Sequence, residues 1–96
     1  MDLEYLKQFR EIKDIEDIIG DIEKLDSLVS KNAWDEVNQH LQDVSEKHFA
    51  EKIVYNTINT EQPCTMQESA INCRQFLLTL GATKITEVLS KHIGGN

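Results

Sequence analysis

Proline is almost missing from this 96-residue chain, with Pro63 the only one, and glycine is confined to Gly20, Gly81, Gly94 and Gly95. With no Pro-, Gly- or Ser-rich tract there is no linker at which to divide it, and its length suits one domain, residues 1–96. Cysteine is limited to Cys64 and Cys73, too few for a disulfide framework and not spaced as zinc ligands. The histidines His40, His48 and His92 form no HExxH or i, i+4 pair, so no metal site is expected. No apolar run approaches the roughly 18–20 residues of a membrane span. The opening residues Met1-Asp2-Leu3-Glu4 lack the basic and apolar regions of a secretory leader. P-loop, GxGxxG and GxSxG patterns are missing as well, so neither an enzyme nor a cofactor is expected. A nucleophilic Cys64 paired with a histidine has no local signature behind it.

Positive charge is also short. Lys and Arg number 10 against 17 Asp and Glu, a net charge of −7 with neutral histidines. Phosphate affinity comes from clustered cations, so nucleic acid is excluded as a partner, and an anionic membrane surface would repel the chain. The expected setting is the cytoplasm or a host-cell interior.

What the sequence does contain is helical periodicity. Apolar residues recur at three- and four-residue steps with no strand-like alternation, which predicts an all-α fold: a single compact bundle of five or six short amphipathic helices. Leu3, Leu6, Phe9 and Ile12 outline the first. Asp14 as N-cap with Asp17 three residues on opens a second, carrying Ile15, Ile18, Ile22, Leu25 and Val29 inward. Gly20 inside it points to close packing against a neighbour. Asn32 is placed as the N-cap of a third helix bearing Trp34, Val37, Leu41 and Val44, with His40 turned to solvent. Ser45 is placed as the cap of a fourth, with Phe49, Ala50, Ile53, Val54 and either Thr57 or Ile58 facing inward. After a loop around Pro63, the capping box Thr65-Met66-Gln67-Glu68 starts a fifth helix with Met66, Ala70, Cys73, Leu77 and Leu80 inward. Gly81 is read as its stop and Ile85, Val88, Leu89 and Ile93 as a sixth helix. Leu28 and Leu78 lie off the main stripes and raise the prospect of a second apolar face and a homodimer.

The acidic excess is uneven. Residues 1–36 hold eleven acids and five bases, net −6, which leaves −1 for the rest. Asp14, Asp17 and Asp21 fall at i, i+3 and i+7, with Glu23 and Asp26 nearby. Like charges at such spacing repel, so their grouping marks these five as the candidate surface for a protein partner with a basic face.

Residues 59–93 also resemble a histidine phosphotransfer domain of two-component signalling. That family carries Ala-His-x-Leu-Lys-Gly, then Leu-Gly-Ala-x-x-Leu about ten residues later. Here Ala70-Ile71-Asn72-Cys73-Arg74-Gln75 aligns with the first part and Leu80-Gly81-Ala82-Thr83-Lys84-Ile85 with the second. Ile71 stands where the phosphorylated histidine would be, and Gln75 replaces the glycine that keeps that histidine accessible. The resemblance therefore implies a degenerate module that binds a receiver or kinase without carrying phosphate. Residues 76–93 can also be laid on the last helices of death-fold (CARD-like) domains, through Gly81, Ile85, Leu89 and Ile93. The expected function is a small acidic intracellular adaptor, inhibitor or immunity-type regulator that binds protein and has no catalytic activity.

Overall fold

The computed structural model of the chain describes residues 2–48 and 66–94, the last three of these by backbone alone. Four helices make up the described part: α1 (Leu3–Lys7), α2 (Lys13–Ser30), α3 (Trp34–Lys47) and α4 (Met66–Gly94). No strand occurs among the described residues.

Asp2 caps α1, its Oδ1 accepting the Tyr5 N–H at 3.1 Å. The expected longer first helix ends at Lys7, and the chain reaches α2 through turns in which Phe9 N–H donates to Leu6 O and Ile12 N–H to Phe9 O. Those turns move Ile12, not Asp14, to the N-cap of α2. Its backbone is extended and its carbonyl accepts from Glu16 N–H at 2.9 Å. Asp14 and Asp17 therefore sit inside the helix, and no side chain caps it. Asp14 and Glu16 still lie in the first turn, where the backbone dipole favours negative charge.

Asn32 closes α2 and does not open α3. It is the only non-glycine with positive φ (56°) among the described residues, and it occupies the left-handed position just past the helix end. Ala33 N–H donates back to Leu28 O and Asn32 N–H to Val29 O, both at 3.0 Å, the paired bonds of a Schellman turn. The corner sends α3 back along α2 from an N-cap at Ala33 that offers no side-chain bond.

α4 runs through Gly81 without a break, so the expected fifth and sixth helices are one. Gly81 is buried and its φ is not positive. A Cβ built there would lie 2.9 Å from both methyl carbons of Leu6, so the glycine admits α1 against α4 and does not end a helix. The other helical glycine is the reverse case: Gly20 is exposed with nothing within 4 Å of a built Cβ, so it packs against no neighbour. Ser45, expected to cap a fourth helix, instead lies inside α3, which continues to Lys47; residues 49–58 lie outside the described residues. So does Thr65 of the capping box, although α4 does start at Met66.

α2 contacts each of the other three helices, α4 most of all. Its Ile15, Ile18, Ile19, Ile22, Leu25 and Leu28 join Leu6, Val37, Leu41, Val44, Ala70, Cys73, Phe76, Leu77, Leu78, Leu80 and Ile85 in one core. Leu28 and Leu78 are both buried in it and do not form a second apolar face. None of the described helices is long and apolar enough to cross a membrane.

Candidate functional site: a divided acidic surface and a groove between α2 and α4

The five acids proposed as one surface point in different directions. At 100° per residue, Asp14, Asp17 and Asp21 share a side of α2, whereas Glu23 and Asp26 fall well around the helix. Glu23 faces α1, 3.6 Å from Lys7 Nζ and 3.7 Å from Arg10. Arg10 Nε also donates to Glu16 at 2.8 Å. That bond and the carboxylate's charge, with Glu23 behind them, push the guanidinium above its already high ordinary value. Asp26 faces α4, where Arg74 Nε donates to both its oxygens at 2.9 and 3.3 Å. Asp21 turns toward the end of α3, its carboxylate mostly buried and held by Lys47 Nζ at 3.1 and 3.3 Å.

Of these five, Asp14 and Asp17 alone are exposed with no ion pair to any described residue. Even there the outer ridge is mixed, because the exposed Lys13 and Lys24 of α2 and its C-cap Lys31 recur at i, i+11 and i+18 along one line. Exposed pairs of this kind contribute less than about 1 kcal/mol each, so they orient side chains more than they stabilise the bundle.

The denser acidic ridge is on α3. Asp35, Glu36, Asp43 and Glu46 are all exposed, Asp35, Asp43 and Glu46 on one side of the helix at i, i+8 and i+11. None has an ion pair among the described residues; Asp43 accepts a hydrogen bond from Gln39 at 3.0 Å. The signal was present in the sequence: residues 32–46 contain four acids and no Lys or Arg. Counting charge over the first 36 residues cut that run in two.

Among the described residues, concavities lie on two sides of α2. The larger, about 350 Å³, lies between its C-terminal half and the start of α4, over Leu25, Val29, Ala70 and Ile71, with the Asp26–Arg74 pair on its wall. Ile71 is 55% exposed on its lip. The smaller, about 250 Å³, lies between α2 and α3 over Leu28, bordered by Lys24, Glu36 and Asp43.

The one described cysteine, Cys73, is held as a thiol. Burial, with the Asp21 carboxylate adding to it, pushes the Cys73 thiol up to about 12. A raised value means that the folded chain keeps the proton while the unfolded chain loses it, so the bundle should lose stability as pH climbs from 9.0 toward about 12 and be indifferent to this group below 9.0. In a Cys64→Ser chain, which isolates Cys73, Ellman's reagent near pH 8 should react only at the rate at which the bundle opens, and at once in denaturant. Immediate reaction of the native chain would contradict the buried placement. Cys64 itself lies outside the described residues.

His40 is buried and not turned to solvent, its Nε2–H donating to Asp21 O at 2.9 Å. His48, at the end of α3, is mostly buried beside Phe76. The His92 side chain lies outside the described set. Among the described residues no group of three or more His, Cys, Asp and Glu could hold a metal ion.

Comparison with protein-family models, with curated proteins and with solved structures found no match to this chain in any of the three.

Proposed function

We propose that the chain is a small protein-binding module without catalytic activity, an adaptor, inhibitor or immunity-type regulator of the cytoplasm or a host-cell interior. Its acidic surface meets a partner protein with a basic face; nucleic acid and membrane are not its targets. The observation that carries this reading is the set of exposed carboxylates without ion pairs among the described residues, Asp14 and Asp17 on α2 and Asp35, Glu36, Asp43 and Glu46 on α3. Carboxylates left in water cost no desolvation until a cation arrives. Their summed field accelerates encounter with a basic surface and disfavours acidic competitors. Asp21, Glu23 and Asp26 belong to the internal ion pairs and are secondary on this reading.

The test begins with a partner captured from native extract and identified by mass spectrometry, then purified. Its affinity is measured for the native chain, for Asp14→Lys/Asp17→Lys and for Asp35→Lys/Glu46→Lys. At least one pair should bind roughly tenfold more weakly at low salt and lose much of its salt dependence. Unchanged low-salt affinity in both pairs rejects the acidic surface.

A second reading follows from the phosphotransfer resemblance, and one observation favours it. Ile71, aligned with the phosphorylated histidine, is exposed on the lip of the larger groove. On that reading the groove receives a receiver or kinase and no phosphate is carried. The chain should then compete with a true phosphotransfer domain for a receiver, and Ile71→Glu should abolish the competition while both acidic-surface variants retain it.

A further inference from the structure

One buried nitrogen at the end of α3 is left without a partner. His48 is the C-cap residue of α3, its backbone N–H donating to Val44 O at 3.0 Å. Its side chain is 11% exposed, and its ring stands edge-on to Phe76 of α4 with centroids 6.3 Å apart. The Nε2 atom is buried and makes no hydrogen bond among the described residues, yet it lies 3.6 Å from Asp21 Oδ2 on α2. Buried polar atoms in folded proteins are nearly always bonded, so an orphan facing a carboxylate calls for a physical reason.

The surroundings supply one. From α2 the ring meets Asp21. Its own helix contributes Lys47, which already reaches that carboxylate, and His40, which is bonded to the Asp21 carbonyl. From α4 come the uncharged Phe76 ring and, within electrostatic reach of Asp21, the protonated thiol of Cys73. A neutral imidazole carries one N–H, and with that proton on Nδ1 the Nε2 lone pair faces carboxylate oxygen. A charged imidazole carries both protons, so Nε2–H becomes a donor whichever tautomer came before. The C-terminal end of a helix also favours a cation.

The geometry points to a proton-operated clasp: uptake of a proton by His48 from solvent turns Nε2–H toward Asp21 Oδ2 and ties the last turn of α3 to the middle of α2. The clasp regulates the fold and does not depend on the acidic-surface reading, since neither His48 nor Asp21 belongs to the exposed, unpaired carboxylates. Lys47 does not block it, because that ammonium spans both carboxylate oxygens while His48 approaches Oδ2 alone.

Urea unfolding of the native chain and of His48→Gln, at about pH 8 and about pH 5.5, reads the clasp. Gln offers the same donor at every pH, so it cancels the general effect of acid on a chain of net charge −7. Acidification should raise the folding equilibrium constant of the native chain roughly tenfold more than that of the variant. An equal response in both chains overturns the clasp. Nitrogen-15 imidazole spectra of the native chain decide the matter even if His48→Gln does not fold. They should show, at acid pH, a His48 Nε2 proton protected from exchange with water and absent from an Asp21→Asn chain. A His48 ring proton that exchanges as fast as that of an exposed imidazole overturns it.

Discussion

An Ile22→Ala chain is expected to unfold with about 3 kcal/mol less free energy than the native chain. Ile22 is fully buried at the middle of α2, the helix that touches the other three. Truncation removes three carbons from an environment whose walls belong to separate helices, and walls fixed by several helices cannot all collapse inward. The loss therefore includes both the transfer of the missing methyl and methylene groups and the residual cavity, which places it within the roughly 2–5 kcal/mol range of buried Ile and Leu truncations. Small domains hold only about 5–15 kcal/mol in total, so this loss is a large share of the stability. Urea titration followed by helical circular dichroism measures this directly. A loss under about 1 kcal/mol would mean that Ile22 is not enclosed as described.

The second large effect is expected at Gly81, and its sign is opposite to that of the same kind of change at Gly20. In a Gly81→Val chain the new Cβ alone comes within 2.9 Å of both Leu6 methyls, and two further methyl groups follow. Leu6 is fully buried, so its side chain has no open space to swing into. Valine is a slightly better helix former than glycine, but that gain of a few tenths of a kcal/mol is outweighed by an overpacking cost of about 1–3 kcal/mol. A net loss of about 2 kcal/mol is expected, with α1 pushed off the bundle. Gly20→Ala meets nothing within 4 Å and should stabilise by about 0.5–1 kcal/mol through helix propensity alone. Combining Gly81→Val with Leu6→Ala tests the cause, because the cavity left by Leu6 receives the valine and the double variant should lose less than the two single losses added together. Strict additivity would remove the Leu6 contact as the explanation.

These glycines also show how far the sequence could be read. The stripes Ile15-Ile18-Ile22-Leu25 and Ala70-Cys73-Leu77-Leu80 were legible because helical burial repeats every three or four residues, and all eight side chains are buried. The all-helical class follows from the same periodicity. Gly81 was misread because a glycine that stops a helix and a glycine that admits another helix look alike in one dimension; only the position of Leu6 separates them. Asn32 was misread for a related reason, since asparagine suits both an N-cap and the left-handed residue after a helix. At the surface, the run of carboxylates on α2 was legible as composition but not as one face. Glu23 turns toward Lys7 on α1 and Arg10 just after it, and Asp26 toward Arg74 on α4, cations 13 to 48 residues away in sequence. The acid-only stretch of α3 needed no structure to find, only a charge count that follows helices.

The contact between Leu6 and Gly81 also bears on the order in which the chain assembles. It joins residues 75 positions apart, whereas the Schellman corner between α2 and α3 closes over bonds spanning three to five residues. Closing a long loop costs more chain entropy than closing a short one, and nothing in the five residues of α1 sustains a helix before it docks. The α2–α3 hairpin is thus the natural nucleus, α4 condenses on it, and α1 arrives last. A packing fault at Gly81 then acts mainly by accelerating unfolding and leaves the folding rate nearly untouched, so this glycine governs how long the finished bundle stays shut.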